Sequence, residues 1–114
     1  MADAAEAGFL AVQSPGTPTK GVEGATLASA ATMAPTSYIH YVTGTAEVTL
    51  ITLPYTGFAG TICFIPAGAF TGATGGTATA TNKPVGKAFT AVAAKALYLT
   101  YVPSLGLWYP SYVS

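Results

Sequence analysis

From Tyr38 to the last residue, every apolar run is interrupted by Thr, Gly or Pro before it reaches the length at which a helix stands on its own. That pattern leaves short strands joined by turns. Tyr38 to Thr43 (YIHYVT) is rich in β-branched and aromatic residues and stops at Gly44. Gly60 to Ile65 (GTICFI) is apolar on both faces, which suits a central strand, and Pro66-Ala67-Gly68 then turns the chain. Lys95 to Val102 (KALYLTYV) alternates cleanly: Leu97, Leu99 and Tyr101 share one face, Tyr98 and Thr100 the other. Gly86 to Ala93 and Leu107 to Tyr112 read as two further strands. Thr71 to Thr81 (TGATGGTATAT) has no large side chain to pack and reads as a loop leading into a strand.

Ala46 to Leu53 (AEVTLITL) is less regular, because Val48 and Leu50 fall on one face while Ile51 and Leu53 fall on the other. A period of two permits this only with burial on both sides, or with one extra residue that shifts the phase. Together these segments spell an all-β body over residues 37–114, a small antiparallel β-sandwich or barrel of jelly-roll-like kind. Residues 1–36 have another texture, dominated by Ala, Gly, Thr, Ser and Pro. Gln13 to Lys20 (QSPGTPTK) excludes a helix there, and a helix over Ala2 to Val12 has too few apolar residues to anchor a core of its own. The expectation for this region is an extended N-terminal arm, with Phe9, Leu10 and Val12 as an apolar hook.

Charge says what should cover such a body. Only 7% of the residues are charged, against about 25% in a typical soluble protein, while 51% are hydrophobic and the net charge is zero. A solitary domain ordinarily wears charges that keep it apart from its neighbours. Their scarcity points to a surface hidden against other protein, including copies of itself. The chain has no Arg, and Lys20, Lys83, Lys87 and Lys95 are scattered, so clustered cations for phosphates are missing and nucleic acid is not an expected partner. No apolar stretch reaches the roughly 18 residues of a spanning helix, so a membrane is not expected either. Met1 to Leu10 carries Asp3 and Glu6 but no early cation, unlike a signal peptide, which makes a host cytoplasm the expected place of synthesis. Cys63 is the sole cysteine, and its neighbours Ile62, Phe64 and Ile65 suggest a buried, inert thiol.

Residue types for catalysis are scarce. A Ser-His-Asp triad needs a His steered by a carboxylate, yet the sole His is His40, flanked by Ile39 and Tyr41, and the sole Asp is Asp3 in the arm. His40 reads as a hydrogen-bonded structural residue. Acid–base chemistry with paired carboxylates would draw on Glu6, Glu23 and Glu47, two of which lie in the arm. Metal sites need more His, Cys and carboxylate ligands than the chain supplies. Gly86-Lys87 is followed by Ala88 rather than Ser or Thr, so it does not end a phosphate-binding loop. No enzymatic activity, cofactor or metal is expected. Tyr and Trp are the other functional material, since they bring large area with a polar tip to protein interfaces. Tyr38, Tyr41 and Tyr112 are the candidate interaction residues of the body. A second reading has the aromatics stacking on sugar rings, in a receptor- or glycan-binding knob.

Several turn-and-strand signatures run through the body. They are Val42-Thr43-Gly44-Thr45-Ala46, Ile51 to Pro54, Gly60-Thr61-Ile62, and Phe64-Ile65-Pro66-Ala67-Gly68-Ala69-Phe70. Lys87-Ala88-Phe89-Thr90, Leu97 to Tyr101 and Trp108-Tyr109-Pro110 complete the set. On these, the stretch from Ile39 to Tyr112 resembles a recurrent domain of tailed-bacteriophage virion proteins. The resemblance implies a small β-sandwich module of capsid decoration (cement) or fibre-like proteins. The chain departs from that pattern at three turns, where Ala67, Gly76-Thr77 and Val102-Pro103-Ser104 stand in place of more polar residues. Turns made apolar in this way suit a surface buried in assembly. The implied role is that of a homotrimer on the capsid surface of a virion, bound to the major capsid protein or another virion protein, where repetition multiplies weak contacts.

Overall fold

Alternation decides which side of each strand meets the interior. In β3 (Ile39–Thr43) His40 and Val42 are buried while Ile39 and Tyr41 are exposed. In β5 (Gly60–Pro66) Ile62 and Phe64 point in, and in β9 (Leu97–Val102) Leu97, Leu99 and Tyr101 do so. These strands belong to a computed structural model that describes residues 22–114. The expectations for Phe9, Leu10 and Val12, and for Gln13 to Lys20, lie outside the described residues. Within them the chain is all-β, with ten short strands and no helix.

The larger sheet runs in the order β1 (Leu27–Ala28), β3, β5, β9, β10 (Leu107–Pro110). A three-stranded sheet combines β2 (Thr32–Met33), β4 (Leu50–Thr52) and β7 (Asn82–Pro84), and a two-stranded one pairs β6 (Thr71–Gly72) with β8 (Phe89–Thr90). The two main sheets are tied at both edges. At one edge Val85 bridges Trp108, and the Gly86 N–H donates to the Trp108 carbonyl at 2.7 Å. At the other edge the chain itself crosses from β1 to β2. Ser29 N–H donates to the Thr43 carbonyl of the large sheet, and two residues later the Ala31 carbonyl accepts from Thr49 and Leu50 of the small one. The result stands between a sandwich and a flattened barrel.

Pairing is mixed rather than purely antiparallel. β5, β9 and β10 are antiparallel neighbours, but β1 with β3, β3 with β5, and β2 with β4 run parallel. The cause is the route of the chain. Each return to a sheet passes through the opposite layer (β1 to β2 to β3, then β3 to β4 to β5), and two reversals restore the original direction. The phase shift in Ala46 to Leu53 has a local cause as well. Thr49 and Leu50 donate consecutive N–H groups to the one Ala31 carbonyl, at 2.9 and 3.0 Å, so one residue is inserted and both Val48 and Ile51 are buried. Gly86 to Ala93, expected as one strand, keeps only Phe89–Thr90 as β8.

The core lies between the sheets. Trp108, fully buried, stacks on Phe58 at 5.7 Å, and its indole Nε1 donates across the layers to the Ile51 carbonyl at 3.1 Å. A second aromatic pair, Phe70 and Phe89 at 5.9 Å, fills the end near β6 and β8. There a Cβ on Gly72 would overlap the Phe89 ring, so glycine is what lets the ring lie against the backbone. Residues 22–36, expected as the end of an arm, are packed here: they supply β1 and β2, and Met33 is buried in the core beside Ile51.

Candidate interaction surface

The outward side of the larger sheet is built from the residues that alternation leaves over. Ile39 pairs with Cys63, and Cys63 with Tyr98, so these three form a row across β3, β5 and β9. Tyr41 pairs with Ile65 one step along. Ile39, Tyr41 and Tyr98 are 40%, 41% and 48% exposed, and they lie together on one side of one sheet. None of the five strands of this sheet contains an Asp, Glu, Lys or Arg. The polar groups on this side are hydroxyls, as where Thr61 and Thr100 join at 2.8 Å between their Oγ1 atoms. The strands of this face therefore present apolar side chains and hydroxyls and no charge.

Cys63 sits in the middle of that row, half-buried, and not inside the core as its neighbours suggested. Ile62 and Phe64 take the inward positions on either side of it. Burial pushes its thiol above the ordinary value of 9.0, and a side-chain hydrogen bond with Tyr98 pulls partly the other way. The thiol stays protonated near neutral pH and behaves as one more apolar group on the face.

The candidate aromatics separate. Tyr41 lies on the exposed face. Tyr38 does not. It is half-buried against the core, 6.3 Å from Phe58. Tyr112 pins the end of the chain: its hydroxyl donates to the Lys95 carbonyl at 3.0 Å and accepts from Val92 N–H at 3.1 Å, with the Lys95 ammonium 4.3 Å from its ring centroid. Ile39, Tyr98 and Ile65 complete the face, and of these the sequence already set Tyr98 on the side of β9 opposite Leu97, Leu99 and Tyr101. Ile39 and Ile65 carried less signal, because Gly60 to Ile65 is apolar on both faces and its inward phase does not show in the sequence.

His40 is fully buried in β3. Its Nε2 accepts from the N–H groups of Thr36 and Ser37, each at 2.9 Å, and its Nδ1 lies 2.7 Å from the Ala25 carbonyl. Two donors on Nε2 and an acceptor opposite Nδ1 fix the tautomer with the proton on Nδ1. A Cβ on Gly24 would overlap the ring, so the imidazole clamps residues 24 and 25 onto the sheet. Among the described residues, no three His, Cys, Asp or Glu side chains gather as a metal site would require. No helix of the described residues is long and apolar enough to cross a membrane.

No protein-family model, curated protein or solved structure matches the chain.

Proposed function

We propose that this chain is a non-enzymatic structural subunit of a bacteriophage particle, a decoration protein that self-associates as a trimer and binds the shell of major capsid protein. The uncharged outer face of the larger sheet carries this reading. A row of Ile39, Cys63 and Tyr98 with Tyr41 and Ile65 beside it offers apolar area with no charge to desolvate, which favours lasting contact with another protein surface. The scarcity of charge over the whole chain supports the same conclusion. The resemblance of the strand and turn signatures to virion modules supplies the partner, a repetitive shell.

Stoichiometry tests it. The protein should be present in hundreds of copies in purified particles of the virus that encodes it, and Tyr98→Asp or Ile39→Asp should fold yet fail to attach. Both positions are exposed, so a charge there disturbs the contact and not the core. A copy number of a handful would move the protein to a tail or fibre. Its absence from particles would refute the reading.

A further inference from the structure

We infer that the body carries, apart from its sheet face, a binding site for a neutral hexopyranose ring in the cleft formed by Leu53, Tyr55, Thr56, Gly57, Ala80 and Thr81. The cleft has a simple origin. β4 and β7 are paired through Thr52 and Asn82, and one further bond joins Leu53 N–H to the Thr81 carbonyl at 2.8 Å. Pro54 has no N–H to continue the ladder, so the two segments part and leave a wedge between them. The space is about 180 Å³. Sites that enclose drug-sized ligands measure about 300–1,000 Å³, so this one holds a single ring and not a chain of them.

Its chemistry selects the ligand. No lining residue is an Asp, Glu, Lys, Arg or His, so phosphate, carboxylate and ammonium groups would find no counter-charge. The lining residues combine hydroxyl-bearing Tyr55, Thr56 and Thr81 with apolar Leu53 and Ala80 and the aromatic ring of Tyr55. A purely apolar side chain would strip water from those hydroxyls without replacing it. A sugar ring presents a C–H face for the aromatic ring and hydroxyls for the rim. It satisfies both kinds of surface.

Tyr55 is also held ready. Its ring stands edge-on to Phe58 at 5.4 Å and 84°, and Phe58 stacks on the buried Trp108, so the platform is backed by the core. A side-chain hydrogen bond with Tyr38, then burial, raises its phenol above the usual range, which keeps the hydroxyl protonated and neutral. Little freedom is lost on binding, although one ring still supports only a millimolar dissociation constant.

The test is an NMR titration of the whole chain with methyl β-glucopyranoside, methyl β-galactopyranoside and methyl N-acetyl-β-glucosaminide, each to about 50 mM, above the expected constant. At least one should shift the Gly57 and Thr81 amides and the Tyr55 ring in a saturable way. Tyr55→Ala should weaken that binding at least about tenfold. Ala80→Phe, at an exposed position, should fill the cleft and abolish it without touching the core. No saturable shift with any of the three glycosides would overturn the site, and so would binding that survives Ala80→Phe. Attachment to particles is read separately from these variants, because the cleft residues are not those of the sheet face.

Discussion

At position 40 the chain places its sole histidine out of reach of water, with both ring nitrogens committed. Its bonds reach Thr36 and Ser37 at the turn into β3 and Ala25 on the strap that carries β1, segments also joined by Ser37 Oγ to the Val22 carbonyl at 2.6 Å and by Gly24 N–H to the Ile39 carbonyl at 2.7 Å. An Ala at this site would remove the acceptor of two N–H groups and the donor to a carbonyl, in the interior, where each such loss costs about 1–3 kcal/mol. His40→Ala should therefore lower unfolding free energy by about 3 kcal/mol or more, measured by urea denaturation followed through Trp108 fluorescence. Two variants divide the effect. An Asn amide can reproduce the Nδ1 donor to Ala25, and a Gln carbonyl the Nε2 acceptor for Thr36 and Ser37, so each should recover part of the loss. Stability unchanged in His40→Ala would mean that the clamp contributes nothing. That this histidine is structural was legible in the sequence, because no carboxylate accompanies it. Its partner Ala25 was not, because it lies 15 residues away and offers only backbone.

Among the elements, the strands with enough residues to show a period were legible and the shortest were not. β9 holds an inward phase that the sequence displays, β3, β5 and β10 were legible as strands from their β-branched and aromatic content, and the insertion at Thr49 and Leu50 was visible as a break in phase. β1 and β2 have two residues apiece, too few for any period, so residues 22–36 carried no sign of their place in both sheets. The parallel pairings were hidden for another reason: direction depends on which layer receives the intervening strand, and alternation is silent about layers. Deletions distinguish the two halves of the expected arm. Removing residues 1–20 spares every described strand and should leave melting temperature nearly unchanged. Removing residues 1–36 takes away β1, β2, the buried Met33 and the partners Ala25 and Thr36 of His40. Burial of Met33 alone is worth about 2 kcal/mol or more, so the longer deletion should leave the body largely unfolded at 37 °C. Circular dichroism melts of both would show it, and equal stability would mean that the strap is not part of the fold.

For the whole molecule, the size of the exposed face matters more than its composition. Strands about 4.8 Å apart that rise about 3.3 Å per residue give a face of roughly 20 Å by 20 Å, or about 400 Å². Each partner in a stable complex contributes about 800 Å², so one face alone makes a weak contact. Weak contacts become lasting when several copies are joined above a lattice that repeats their site, because every contact after the first is intramolecular. Self-association and shell binding therefore belong to one mechanism in the proposed role. A single chain held dilute should attach poorly, whereas three copies joined through a trimeric coiled coil fused after Ser114 should attach about 10²–10⁴-fold more tightly. With no charged residue in the strands of the face, attachment should be insensitive to salt between about 50 and 500 mM, where contacts between exposed charges are screened. Cosedimentation with particles measures both effects, and slower alkylation of Cys63 in the attached state would locate the contact on the row between Ile39 and Tyr98. Tight attachment by the dilute single chain that fades with salt, with Cys63 as reactive as before, would assign the contact to another surface and to its charges.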